Sequence, residues 1–122
     1  PVSVLMLHGD QDPTVLYCGG QAYASQEQSF NYWSTANRCS TTDTRAPLCD
    51  GQGITSAMQK DASGCARDTE VKFYKLLGGQ HDWYTIPMNA PASLPFNPNF
   101  DARSGVTTND IVWNFFATHP KR

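Results

Sequence analysis

Two short clusters hold most of the side chains that could do chemistry: His8-Gly9-Asp10-Gln11-Asp12 near the start, and Gly78-Gly79-Gln80-His81-Asp82-Trp83 further along. A histidine acting as a general base needs a carboxylate at one ring nitrogen, to hold its tautomer and to stabilise the imidazolium, and an aspartate from the other cluster could supply it. The same donors, His8, Asp10, Asp12, His81 and Asp82, could instead surround zinc or a similar ion in a metal-dependent hydrolase. Successive residues of an extended chain point apart, so adjacent His81 and Asp82 fit one coordination sphere poorly. A third chemistry is non-catalytic. Trp83 and Tyr84 could lie flat against a sugar or polymer, although Trp33, Trp83 and Trp113 are each explained more simply by core or rim packing.

Each cluster follows an apolar run. Residues 2–7, VSVLML, read as a buried strand ended by a turn at His8-Gly9-Asp10, and residues 71–77, VKFYKLL, read as a second strand, more exposed on one side, with Lys72 and Lys75 set against apolar Val71, Phe73 and Tyr74. In an open α/β sheet the loops at the carboxyl ends of strands converge over a crevice, so both clusters lie where reactive groups collect. Between the strands, Ala22, Phe30, Trp33 and Ala36 have helical spacing within 21–37, and the Thr-, Ser-, Asp- and Gly-rich stretch from Cys39 to Cys65 reads mostly as loop. Four prolines between 85 and 105 resist helix and interior strand and predict a long surface excursion. Thr107 to Asp110 then resemble the cap and first turn of a helix with Ile111, Val112, Phe115 and Phe116 on its apolar face, stopped by His119-Pro120.

With 122 residues, 39% of them hydrophobic, the chain can build one core, and residues 1–122 are read as part of one domain. A formal charge of -2, with no Lys/Arg run before Lys121-Arg122, excludes the electrostatic footprint of a nucleic-acid binder. No apolar stretch is long enough to span a membrane, and the first residues lack the order of a signal peptide. Pro1 leads directly into an apolar run, as if the domain were already under way. The cysteines, Cys18, Cys39, Cys49 and Cys65, are too widely spaced for a CxxC pair. Their even number favours two disulfides in an oxidising, extracellular setting over buried free thiols, and spacing leaves all three pairings open.

Taken together the motifs resemble the C-terminal part of an α/β-hydrolase of the secreted esterase group that includes poly(3-hydroxybutyrate) depolymerases, feruloyl esterases and acetylxylan esterases. An HGxxDxxVxY segment is matched by His8-Gly9, Asp12, Val15 and Tyr17; a W…N.C helix end by Trp33, Asn37 and Cys39; a GGGHxW segment by Gly78 to Trp83; and an IWxFFxxHP helix by Ile111 to Pro120. Gln80 departs from the third glycine and adds a side chain beside the histidine.

The resemblance implies a mostly parallel sheet flanked by helices, incomplete in this chain. It makes Asp12 the acid that orients His81, His81 the base that activates a serine, His8 a turn or packing residue, and Trp83 and Tyr84 substrate contacts. It also implies a Cys39–Cys65 disulfide, with Cys18 and Cys49 as the second pair, and no cofactor. The α/β-hydrolase nucleophile sits in a GxSxG elbow upstream of the acid, and no GxSxG occurs in the chain; Ser25, Ser29, Ser34, Ser56 and Ser63 all lack the elbow glycines. The expected partner is therefore an N-terminal half, in cis or as a separate chain, carrying the serine and the oxyanion hole. The 122 residues alone are expected to be inactive. The expected substrate is an ester on polysaccharide or polyester, a feruloyl ester first; neither nucleic acid nor membrane is an expected partner.

Overall fold

The computed structural model describes residues 1–42, 59–76, 80–81 and 108–120. They form a four-stranded mixed sheet with two α-helices. The strands are β1 (Val4–Gly9), β2 (Thr41–Thr42), β3 (Gln59–Ser63) and β4 (Val71–Leu76), in the order β1-β4-β3-β2, and the helices are α1 (Gln26–Ala36) and α2 (Thr108–Thr118). β1 and β4 run parallel, with Val4 opposite Val71 and Gly9 opposite Leu76, whereas β3 lies antiparallel to β4 and β2 antiparallel to β3. The described sheet is thus mixed rather than mostly parallel. The difference comes from β3, in a stretch whose composition reads as loop: QKDAS has no apolar alternation, and it pairs with β4 while burying Ala62.

Parallel neighbours need a crossover, and α1 supplies it. Ser25 begins the helix with a capping box: its Oγ accepts from Gln28 N at 3.1 Å while Gln28 Oε1 accepts from Ser25 N at 2.9 Å. The helix therefore starts after Ala22, which is exposed rather than on the apolar face. Phe30 is fully buried beside Tyr17, Ala62, Val71 and Phe73, with Val4, Met6, Trp33 and Cys39 packed around them. The Tyr17 and Phe73 rings stack with centroids 6.0 Å apart.

At the other end of α1, Arg38 takes a left-handed conformation (φ 55°), and Asn37, only 1% exposed, turns its amide toward the start of β1. Val2 N–H donates to Asn37 Oδ1 at 3.0 Å and Asn37 Nδ2 donates to Val2 O at 2.6 Å. Cys39 is disulfide-bonded to Cys65, and Ala66 N donates to Asn37 O beside that bridge. A cross-link of this span contributes about 2–4 kcal/mol. Cys18 is also disulfide-bonded; the expected partner, Cys49, lies outside the described residues, as does the 85–105 excursion.

α2 buries Ile111 and Phe115, but Trp113 (74% exposed) and Phe116 (62% exposed) face outward, so its apolar contact is narrower than the sequence predicts. Its end is fastened to the sheet by His119, whose ring stacks on Phe115 at 4.4 Å and whose Nε2 lies 2.9 Å from Glu70 Oε1. The two parallel strands also exchange their expected exposures. β1 is half-buried through Val4 to His8, whereas Val71, Phe73, Tyr74 and Lys75 of β4 are all buried.

Candidate active site

β1 extends through His8 and Gly9 before the chain turns at Asp10 and Gln11, which carries Asp12 just past the end of the sheet. Asp12 is followed by Pro13, a dipeptide suited to a turn closed by the aspartate side chain. Oδ1 accepts from both Thr14 N and Val15 N at 2.8 Å, leaving Oδ2 to face the neighbouring strand end. There His81 Nδ1 donates to Oδ2 at 2.9 Å. These bonds occupy both oxygens of the buried carboxylate and account for it without a metal ion.

The His81 side chain is 57% exposed and that of Asp12 5%, so a shielded acid holds an imidazole that reaches solvent. With Nδ1 carrying the proton toward Asp12, Nε2 is the basic nitrogen. This is the tautomer a general base requires.

Burial pushes the Asp12 carboxyl up, but hydrogen bonds from His81, Val15 and Thr14 and the charge of His81 outweigh it, lowering the pKa from 3.8 to about 2. A group with a depressed folded-state pKa contributes stability that is fully present above its unfolded value and is lost as pH falls through the folded value. The expected outcome is a loss of stability in the folded protein between about pH 4 and about pH 2, with a shallower acid limb in Asp12→Asn. Urea unfolding across that window measures it; equal limbs in the two proteins would contradict the hydrogen-bonded carboxylate.

The other polar residues of the first cluster have separate roles. His8 Nε2 donates to Val15 O at 2.8 Å and lies 3.7 Å from Asp12 Oδ2, so His8 braces the loop that holds the acid. The Asp10 side chain turns away toward Lys75, with Oδ2 4.0 Å from Nζ. Lys75, expected on the more exposed side of its strand, is instead buried. Among the described residues no group of three or more histidine, cysteine, aspartate or glutamate side chains is placed to hold a metal.

Gln80 is exposed beside His81. Gly78, Gly79, Asp82, Trp83 and Tyr84 lie outside the described residues, as does Ser56. Ser25, Ser29 and Ser34 use their hydroxyls on helix backbone, on Gln28 N, Ser25 O and Phe30 O respectively. A groove of about 890 Å³, lined by Val2, Ser3, Thr69, Phe115 and His119 among others, opens at the opposite ends of β1 and β4 from the dyad.

No family model matches the chain, and no solved structure matches it at a significant level.

Proposed function

We propose that this chain supplies the acid and the histidine of a Ser-Asp-His triad in a secreted carboxylic ester hydrolase of α/β-hydrolase type. The observation that carries this reading is the 2.9 Å bond from His81 Nδ1 to a buried Asp12 carboxylate, made between the ends of two parallel strands. In this reading a serine from an N-terminal half attacks the ester carbonyl while His81 Nε2 takes its proton. His81 then returns the proton to the leaving alkoxide, releasing the alcohol and leaving an acyl-enzyme. Water, deprotonated by the same nitrogen, attacks the acyl carbonyl, and Nε2 passes that proton to the departing serine oxygen, which releases the acid and regenerates serine and neutral His81. Asp12 holds the ring throughout, and upstream backbone N–H groups stabilise each oxyanion.

Supporting an extracellular site are the Cys39–Cys65 disulfide and the second bonded cysteine, Cys18. No described helix is long and apolar enough to cross a membrane. For substrate, the resemblance favours feruloyl esters of plant polysaccharide, ahead of acetylated xylan and poly(3-hydroxybutyrate), with Trp83 and Tyr84 as contacts.

The test uses the full-length protein that carries this chain, assayed on methyl ferulate, acetylated xylan and a short hydroxybutyrate oligomer. Hydrolysis of at least one, abolished by a serine-directed fluorophosphonate, is the expected result. Inertness toward all three, with no fluorophosphonate labelling, would remove the esterase reading. A kcat/KM on the oligomer well above that on ferulate would instead reverse the substrate order.

A further inference from the structure

Lys75 is the residue of β4 that the strand pattern explains least. It stands opposite His8 in the parallel register and shares a face with Val71 and Phe73, both in the core, where a charged side chain is least expected. Its side chain is nonetheless only 3% exposed, its ammonium lies over the Tyr17 ring at 4.9 Å from the centroid, and Nζ is 4.0 Å from Oδ2 of an Asp10 side chain that is itself 4% exposed. Removing two such charges from water carries a penalty of several kcal/mol per ion, and well-packed apolar side chains in their place are often as stabilising or more so. Stability alone gives little reason for the pair.

Its place in the fold supplies one. Asp10 begins the turn that presents Asp12, and Lys75 is the penultimate residue of the strand that leads to His81. The loop is closed on itself by Asp12 Oδ1 and tied to β1 by His8, and past the Gly9–Leu76 rung neither tie reaches across to β4. The ion pair runs across that gap. We propose that the buried Asp10–Lys75 pair sets the reach between the Asp12 loop and His81, which makes Lys75 a positioning residue for the dyad. Tyr17, packed on Phe73 beneath the ammonium, keeps the lysine from swinging out to solvent, and the cation over its ring adds attraction in a desolvated setting. The inference rests on the esterase reading for its kinetic consequences, but its geometry can be tested separately.

The experiment compares Lys75→Met and the double variant Asp10→Asn/Lys75→Met in the full-length protein. Lys75→Met leaves the Asp10 charge buried without its ammonium and lowers stability, while the double variant removes both charges and recovers most of it. A positioning role predicts that the double variant, although stable, keeps kcat on the best ester about tenfold to a hundredfold below wild type with little change in KM. It also predicts that the low-field proton NMR signal of His81 Nδ1–H bonded to Asp12 is broadened or lost. If kcat and that signal both return with stability, the pair merely supports the fold and the proposal is overturned. Should the wild-type protein hydrolyse no ester, the esterase reading fails, and the His81 signal alone decides the positioning role.

Discussion

On the esterase reading, Asp12→Asn in the full-length protein is expected to lower kcat by roughly 10⁴-fold while the fold survives. The asparagine oxygen can still accept from Thr14 and Val15, which lie 2.8 Å from Oδ1, so the turn keeps its closure. What changes is the atom facing His81. An NH₂ group in the place of Oδ2 cannot accept from Nδ1–H, so the imidazole moves its proton to Nε2 and offers Nδ1 as the acceptor. The nitrogen that should take the serine proton is then already protonated. Steady-state kinetics with a thermal unfolding scan measures both halves of the prediction. An unchanged rate would withdraw Asp12 from the triad and make Asp10 the acid to examine.

Phe30→Ala is expected to destabilise the folded protein by about 3–5 kcal/mol, a large share of the 5–15 kcal/mol typical of a domain. Phe30 is fully buried where α1 meets the faces of β1 and β4. Alanine would remove the ring and leave a cavity that the Cys39–Cys65 disulfide, anchored just past the helix, prevents from collapsing freely. Urea denaturation reads the change; a loss below about 1 kcal/mol would mean that α1 is not packed against the sheet as described.

Both residues could be found without coordinates, for different reasons. Phe30 announces itself through helical spacing with Trp33, a local pattern. Asp12 and His81 could each be placed at a strand end, but only the parallel pairing of β1 with β4 brings them to 2.9 Å. The sequence could not distinguish Asp10 from Asp12 by residue type, and the assignment came from resemblance. The structure separates them by the direction of their side chains, one toward Lys75 and the other toward His81. β3 was illegible because its pairing depends on what β4 offers rather than on its own polar sequence. Lys75 shares a face with Val71 and Phe73 by strand parity, so its burial was legible in the spacing and only its charge argued for exposure. The capping box at Ser25 and Gln28 was present in the sequence and would have corrected the start of α1.

The amide of Asn37 has a role that reaches the far end of the sheet. In a parallel ladder the N–H and C=O of one residue face the same neighbour, and those of the next residue face the other side. Val4 N donates to Glu70 O, so Val2, two residues earlier, presents its peptide groups on the β4 side, where Asn37 meets both. The side chain thus behaves as one more rung of that strand. If β1 slid by one residue, Ser3 would offer its groups to the wrong side, and each apolar residue of β1 would change face. Asn37 therefore works as a ruler for the strand: by fixing where β1 begins, it fixes how far Asp12 projects beyond the sheet when it meets His81.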